Sequence, residues 1–153
     1  MKVKDIMTAQ PAVCAPDTNL AAAAELMLDA DCGILPVIEN GKLAGIVTDR
    51  DMFIALATRD RRASEMTVGQ VAGTHVFTCE PDDDVHAALM TMKQHCVRRL
   101  PVKGFAHTVV GIVSMNDILL AAGPRKAVRN DEVVDTLQAI CAHHHPTPHV
   151  TAA

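Results

Sequence analysis

The sequence contains no tryptophan and no tyrosine, and its only phenylalanines are Phe53, Phe77 and Phe105. Proteins that bind single-stranded nucleic acid usually stack the bases on aromatic side chains along a basic groove. With so few aromatic rings and a net charge of −4, nucleic acid is excluded as the main partner. The 153 residues are 49% apolar and 21% charged, which is the composition of a globular protein rather than of a disordered chain.

Long apolar runs are also missing. A membrane-spanning helix needs roughly 18 or more consecutive apolar residues, and the richest stretch, from Leu20 to Leu28, is interrupted by Glu25. The first five residues lead into no apolar core of the kind found in a secretory signal. We therefore expect a cytoplasmic protein that has no membrane partner.

The cysteines do not form a metal-binding or disulfide pattern. There are five, which is an odd number, and no two are spaced as C-x-x-C. This excludes a disulfide framework and a zinc finger. Cys14 and Cys79 lie in strand-like runs, and Cys32 and Cys96 come just before other such runs, so we predict that all four are small buried side chains.

Three sequence blocks occur twice in the same order. The blocks are VCAPD (13–17) with TCEPD (78–82), LPV (35–37) with LPV (100–102), and GIVT-x-x-D (45–51) with GIVS-x-x-D (111–117). The offset is 65 residues for the first two and 66 for the third, so one extra residue falls in the hairpin loop between Val102 and Gly111. Matching blocks at a fixed offset indicate a tandem duplication.

Each copy is predicted to have the element order β-α-β-β-α. In the first copy we expect a strand at 11–14, a helix at 18–30, strands at 34–38 and 43–47, and a helix from Thr48; in the second copy, a strand at 75–79, a helix at 83–95, strands at 97–102 and 109–113, and a helix from Ser114. Short helices at 3–8 and 66–72 lead into the copies, and residues 59–64 link them.

Local signals support these boundaries. Asp17 or Thr18, and one residue of Asp82 to Asp84, are predicted to be helix N-caps. The dipeptide Asn40-Gly41 favours a type I′ turn between the two strands of the first copy.

The tail from residue 123 to residue 153 lies outside the repeats. Apolar residues at helical spacing predict an amphipathic helix over 131–142. His143, His144, His145 and His149, with Cys141, suggest a metal site, but consecutive histidines on a proline-containing tail have no fixed ligand geometry. A polar chain end is the favoured interpretation.

The doubled blocks, together with KDIMT at 4–8, resemble the CBS (cystathionine β-synthase) domain pair, or Bateman module, over residues 1–122. The resemblance implies an α/β (α+β) fold, built from tandem β-α-β-β-α repeats with pseudo-two-fold symmetry, here with an added C-terminal helix. Repeat 1 would span 1–62, repeat 2 would span 63–122, and the tail 123–153. The resemblance also implies a homodimer and two clefts between the repeats, which in relatives often bind AMP, ADP, ATP, S-adenosylmethionine or NAD.

Two pairs of polar residues are the candidate ribose contacts. Thr48 and Asp51, and likewise Ser114 and Asp117, stand at strand-to-helix junctions, where a hydroxyl and a carboxylate can bind a vicinal diol. The family resemblance assigns the ribose to these positions. The same spacing is that of a capping box, which needs no ligand, and both interpretations can hold together.

The resemblance groups further residues with each pair. The first site would comprise Thr48, Asp51, Val76, Phe77, Val97, Arg99 and Pro101, and the second Ser114, Asp117, Ala12, Val13, Cys32, Ile34 and Pro36. Arg99 suits a phosphate because its guanidinium can bind two oxygens, whereas the second site has Ile34 at the equivalent position. Arg98 is a further candidate phosphate contact. We therefore expect the phosphate-binding site to be the first. For the apolar strand residues of both sites, such as Val76 and Ile34, the alternative is that they are simply part of the hydrophobic core.

The leading hypothesis is a stand-alone regulatory module that binds an adenine nucleotide, needs no cofactor and acts on an unknown partner protein. The alternative is a structural interaction module whose clefts are empty. An enzyme is disfavoured, because the sequence has no glycine-rich phosphate loop, no nucleophile beside a matched histidine and no convincing carboxylate pair.

Overall fold

The structure, a computed structural model, describes residues 1–142. Within this range the chain forms five strands and five α-helices. The strands are β1 (Thr8–Ala9), β2 (Ile34–Glu39), β3 (Lys42–Thr48), β4 (Arg99–Lys103) and β5 (Val109–Ser114). The helices are α1 (Leu20–Asp29), α2 (Asp49–Arg59), α3 (Val85–His95), α4 (Met115–Ala121) and α5 (Asn130–Cys141). Single 3-10 turns occupy Val3–Asp5, Ala63–Glu65, Val68–Gln70 and Phe105–His107. The predicted mixed α/β fold is confirmed.

The centre of each repeat is an antiparallel hairpin. Strands β2 and β3 pair with Ile34 opposite Thr48, and β4 and β5 pair with Arg99 opposite Ser114. At the first turn, Asn40 has a φ of +51° and Gly41 a φ of +76°. Two successive positive φ angles are what a type I′ turn requires, so the predicted turn is confirmed.

The predicted strands at 11–14 and 75–79 are reduced to single parallel bridges. Cys14 bridges Val37 in repeat 1, and Cys79 bridges Val102 in repeat 2. The amide of Cys14 donates to the Pro36 carbonyl at 3.0 Å, but Pro36 itself has no N–H with which to extend the ladder. Pro101 ends the second ladder in the same way. The expectation of full strands was wrong because proline limits the pairing.

Helix α1 begins two residues later than predicted, and its N-cap is Asn19. The Asn19 side chain accepts a hydrogen bond from the Ala22 amide at 2.9 Å, while the Thr18 hydroxyl accepts one from the Ala15 amide at 3.0 Å. The predicted cap at Asp17 or Thr18 was therefore wrong, because Thr18 closes the preceding turn. In repeat 2 the cap is Asp84, within the predicted range.

The segments that lead into the two repeats are exchanged. Val3, near the N-terminus, is buried in the apolar cluster of repeat 2, and its amide donates to the Asp83 carbonyl at 3.0 Å. Met66 and Val68, from the linker, are buried in the cluster of repeat 1. The Leu20 amide donates to the Met66 carbonyl at 2.9 Å. Each hydrophobic core is thus completed by a segment that comes before the other repeat.

The exchanged segments approach the hairpins at the glycines of the repeated GIV block. β1 pairs with β5 beside Gly111, where a Cβ atom would lie 2.5 Å from the Met7 sulfur. Gly73 pairs with Ile46 in repeat 1, and a Cβ atom on Gly45 would lie 2.8 Å from the Gly73 carbonyl oxygen. At Gly45 the neighbouring atom belongs to the backbone, so only glycine leaves room for this close approach.

Two of the cysteines are core residues, one in each repeat. Cys14 and Cys79 are buried, one in each apolar cluster. Burial raises the pKa of the Cys14 thiol to about 11, and burial together with the nearby Asp83 carboxylate raises the pKa of Cys79 to about 12. Cys32 and Cys96 are half-buried rather than buried, since both lie where a helix ends and the chain reaches the surface.

Helix α5 confirms the predicted amphipathic helix and packs on repeat 2. It contacts α3 and α4, and its buried side chains Val133 and Thr136 face them. The face of repeat 2 that these helices would otherwise present to solvent is covered in this way. The histidines of the tail, at 143–145 and 149, lie outside the described residues.

The exchange predicts that a linker residue stabilises repeat 1. Met66 is fully buried and Met90, on α3, is 55% exposed. We expect Met66→Ala to lower the free energy of unfolding by about 2–5 kcal/mol because it leaves a cavity, and Met90→Ala to change it by less than about 0.5 kcal/mol. Urea denaturation measures both, and equal effects would contradict the packing role of the linker.

Candidate functional site

One cavity of about 350 Å³ lies between the two repeats. The residues that line it are Thr8, Gln10, Pro11, Ala12, Ala30, Asp31, Cys32, Ile34, Arg99, Ile112, Ser114, Asn116 and Asp117. Five of the seven residues predicted for the second site are brought together here: Ser114, Asp117, Ala12, Cys32 and Ile34. The other two are not part of the lining, because Val13 points outward and Pro36 is buried in β2.

Ser114 and Asp117 form a complete capping box at the start of α4. One oxygen of the Asp117 carboxylate accepts from the Ser114 hydroxyl at 2.6 Å and from the Ser114 amide at 2.8 Å. The Ser114 hydroxyl in turn accepts from the Asp117 amide at 3.3 Å. The other carboxylate oxygen accepts no hydrogen bond within residues 1–142. The pair therefore caps the helix and still presents one free acceptor at the cavity.

Thr48 and Asp51 form the same capping box at the start of α2. The Thr48 hydroxyl donates to Asp51 at 2.6 Å, the Thr48 amide donates to it at 3.0 Å, and the Asp51 amide donates back to the hydroxyl at 3.2 Å. The helix-cap interpretation is thus satisfied at both junctions. It neither requires nor blocks a ligand, because a carboxylate has about four acceptor positions.

In the structure, Arg99 lines the cavity of the predicted second site, beside Ser114. It stands opposite Ser114 in the β4–β5 pairing and lines the cavity with it, whereas the sequence analysis grouped it with Thr48 and Asp51. The register explains the difference: adjacent strands of one hairpin place Arg99 and Ser114 side by side. The half-buried guanidinium forms no hydrogen bond or ion pair with any other residue in 1–142, so it is available to an anion.

Arg98 is exposed and lies outside the cavity lining. Its guanidinium donates to the Cys141 sulfur, at a distance of 3.6 Å, near the end of α5. Arg98 lies in the bend before β4, whereas Arg99 is the first residue of that strand and is paired with Ser114, so the two side chains have different surroundings. The structure therefore distinguishes two arginines that the sequence could not.

The remaining residues of the predicted first site are not gathered in one cavity. Asp51 borders a pocket of about 170 Å³ beside α2, and Val76 borders a different pocket of about 260 Å³ near the hairpin loops. Val97 is half-buried against the repeat 2 core and Pro101 is buried in β4. Phe77 stacks on the His95 ring with the centroids 3.7 Å apart.

Several cavity residues were missed by the sequence analysis. They are Thr8, Gln10, Pro11, Ala30, Asp31, Ile112 and Asn116. Asn116 could have been found, because it lies inside the repeated Ser-x-x-Asp block. Asp31 could not, since it enters the cavity through a backbone turn with a φ of +46° at the end of α1.

The described residues form neither a metal site nor a membrane span. Within residues 1–142, no group of three His, Cys, Asp or Glu side chains is arranged to hold a metal ion. No helix in this part of the chain is long and apolar enough to cross a bilayer.

The chain thus contains two copies of one domain, with exchanged lead-in segments and a cavity at the junction of the copies. The family model described as CBS domain matches residues 3–58 and again residues 68–123. The chain belongs to the CBS domain family. This CBS domain pair is 36% identical over 116 residues to the CBS domain-containing protein YhcV of Bacillus subtilis, with 76% of this chain and 81% of that protein covered. It is 30% identical over 140 residues to Hypoxic response protein 1 of Mycobacterium tuberculosis, with 91% and 93% covered.

Solved structures agree with the family assignment. The CBS domain pair of protein MJ0100, in complex with 5′-methylthioadenosine and S-adenosyl-L-methionine, has a TM-score of 0.70 at 28% identity, with 77% of this chain and 92% of that chain covered. Hypoxic Response Protein I with two coordinated zinc ions has a TM-score of 0.70 at 31% identity, with 78% and 98% covered. The likeness therefore extends from sequence to three-dimensional structure.

Proposed function

We propose that this CBS domain pair is a regulatory, non-catalytic module that binds an adenine nucleotide in the cavity beside Ser114 and Asp117. The observation that carries the proposal is the composition of this one cavity. Repeat 1 contributes small and apolar side chains that leave room for a planar base, while repeat 2 contributes an acceptor and an unpaired arginine. Its volume of about 350 Å³ lies within the range of small-molecule sites, roughly 300–1,000 Å³.

Each part of the ligand has a matching group. The free oxygen of Asp117 can accept a hydrogen bond from a ribose hydroxyl, and such a bond to a carboxylate is stronger than a neutral one. Ile34 and Ala12 offer an apolar surface to the base. Arg99 can bind a phosphate through two of its N–H groups. The complex of MJ0100 with two adenosine compounds supports an adenosine-sized ligand in a domain pair of this kind.

The cavity charges rank the candidate ligands. Arg99 is its one cationic group, which favours AMP, ADP or ATP over an uncharged adenosine. Asp31 and Asp117 are carboxylates in the same lining, and they would favour a ligand with a cationic group, such as S-adenosylmethionine. NAD carries both phosphates and adenosine and stays an alternative. We favour AMP, ADP or ATP because Arg99 has no competing partner within residues 1–142.

Regulation would follow from where the ligand sits. A ligand held by Ala12 and Ile34 on one side and by Ser114 and Asp117 on the other bridges the two repeats. Its binding energy can therefore shift the equilibrium between relative positions of the repeats. A separate partner protein, not identified by the sequence, would respond to that shift.

The binding proposal predicts the effect of removing one carboxylate. We expect the purified chain to bind AMP, ATP or S-adenosylmethionine in isothermal titration calorimetry, and Asp117→Ala to abolish that binding. The substitution also removes a helix cap, which costs about 1 kcal/mol. Asn19→Ala is the matched control, since it removes the α1 cap at a similar cost but lies outside the cavity. Equal binding by wild type and Asp117→Ala, or no binding at all by the folded wild type, would refute the proposal.

A second prediction separates the phosphate from the adenosine. We expect Arg99→Met to weaken AMP or ATP binding by about 10- to 100-fold, as expected for a hydrogen bond to a charged group worth 1.5–3 kcal/mol. Binding of 5′-methylthioadenosine, which has no phosphate, should be unchanged. Arg98→Met is the control, because Arg98 lies outside the cavity. Competitive titrations measure both, and an equal loss for the two ligands would contradict the phosphate role.

A specific observation also favours an interaction role for repeat 1, and we propose that two copies associate there. An apolar groove of about 560 Å³ runs between α1 and α2, with Leu28 80% and Phe53 71% exposed at its edges. In repeat 2 the equivalent face of α3 and α4 is covered by α5. An apolar face of this kind would be buried if two copies paired it about a two-fold axis, which gives a closed dimer.

The proposed dimer predicts a charge-sensitive interface. Leu28 and Leu120 are both leucines on helices, and they are 80% and 86% exposed. We expect Leu28→Glu to convert a dimer into a monomer, because it puts a charge into the apolar groove, and Leu120→Glu on α4 to leave the dimer intact. Light scattering coupled to size-exclusion chromatography gives the masses. A monomeric wild type, or a dimer that survives Leu28→Glu, would exclude this interface.

A further inference from the structure

The duplication allows two clefts to be compared position by position. The first cleft is the one at Thr48 and Asp51, and the second cleft is the one at Ser114 and Asp117. An offset of 65 residues relates the two strand bridges, at Cys14 and Cys79, and the two helix caps, Asn19 and Asp84. It also relates Asp31 and Cys96, the residues with positive φ at the ends of α1 and α3. The two repeats therefore superimpose without a gap from the segment before the first helix to the start of the hairpin.

This correspondence identifies what stands in the first cleft. The open cavity of the second cleft is bordered in part by Gln10, Ala12 and Ala30 of repeat 1. Their equivalents in repeat 2 are His75, Phe77 and His95. Two of the three positions are thus alanine on the open side, and all three carry rings on the other side.

The three rings are in contact with one another. The Phe77 and His95 rings are stacked, with centroids 3.7 Å apart and an interplanar angle of 13°. The His75 ring meets Phe77 edge-on, with centroids 4.8 Å apart and an angle of 88°. Because a separation of 3.7 Å is a single stacking contact, no planar base can lie between Phe77 and His95. Phe77 is also packed against the repeat 2 core, which holds the stack in place.

We propose that the rings of His75, Phe77 and His95 close the first cleft, so that the chain binds one adenine-type ligand, in the cleft of Ser114 and Asp117. The inference rests on the proposed function and adds its stoichiometry and location. Phe77 takes the position of the base instead of stacking on a bound one. Thr48 and Asp51, at the first junction, then serve only as a helix cap. The small side chains Ala12 and Ala30 are what keep the second cleft open.

The first test uses the native chain and its two cap variants. Titration calorimetry with AMP, ATP and S-adenosylmethionine should give one ligand per chain for the probe that binds. Asp117→Ala should abolish the binding, and Asp51→Ala, which removes the equivalent cap, should retain it. Two ligands per chain, with one lost in Asp117→Ala and one in Asp51→Ala, would overturn the inference and leave the proposed function standing. Loss of binding in Asp51→Ala but not in Asp117→Ala would overturn both, because the ligand would then lie in the other cleft. No binding of any probe would overturn the proposed function and the inference with it.

The second test changes the rings themselves. The double variant Phe77→Ala with His95→Ala should open the first cleft and raise the ratio from one ligand per chain to two. Ala12→Phe should close the second cleft and lower the ratio to zero. His107→Ala, an exposed histidine in the hairpin loop, is the control and should keep one ligand. Circular dichroism checks folding, and if the double variant does not fold, the exposed His95→Ala alone replaces it. A folded ring variant that still binds one ligand would overturn the inference.

Discussion

Both cores of this molecule depend on a side chain supplied by the segment that leads into the other repeat. Val3 is buried among the residues of repeat 2, and Met66 and Val68 are buried among those of repeat 1. Burying a side chain of this size contributes roughly 1.5–3 kcal/mol. Since neither core is complete without the other half's segment, the exchange fixes how the repeats pair. The pairing then creates the junction in which the cavity of Ser114 and Asp117 lies.

The capping boxes show how one carboxylate can serve both the fold and a ligand. In each box a single oxygen of the aspartate accepts two hydrogen bonds from the capping residue. This holds the carboxylate in one orientation before any ligand arrives, and preorganised groups lose little entropy on binding. What differs between the two boxes is the space in front of them. Side chains elsewhere in the repeat, rather than the box itself, therefore decide whether the second oxygen can be used.

Much of the fold could be predicted from the sequence, because the signals lie between neighbouring residues and most of them occur in both repeats. The turn at Asn40-Gly41, the helix starts after Thr48 and Ser114, and the hairpins all follow from neighbouring residues. The exchange of Val3 and Met66 was not readable, since both repeats have the same lead-in pattern and a pattern does not say which core it enters.

The site was predictable only in part, for a similar reason. Ser114 and Asp117 were found because they occupy a repeated block, and Ile34 because it comes directly before one. Arg99 was grouped with the other cleft because strand register, which places it opposite Ser114, is a property of the hairpin and not of the motif. The contact of Phe77 with His95 joins residues on different elements, and no spacing rule indicates it.

The exchanged segments also have a consequence for how the chain folds during synthesis. Repeat 1 cannot bury its last core residues until Met66 and Val68 have left the ribosome, and Val3 must wait for the strands and helices of repeat 2. The segment around Val3, which is made before either repeat, is thus among the last to be placed. Contacts between residues so distant in sequence slow folding, and waiting apolar segments favour aggregation. The two repeats should therefore mature together, as a single cooperative unit.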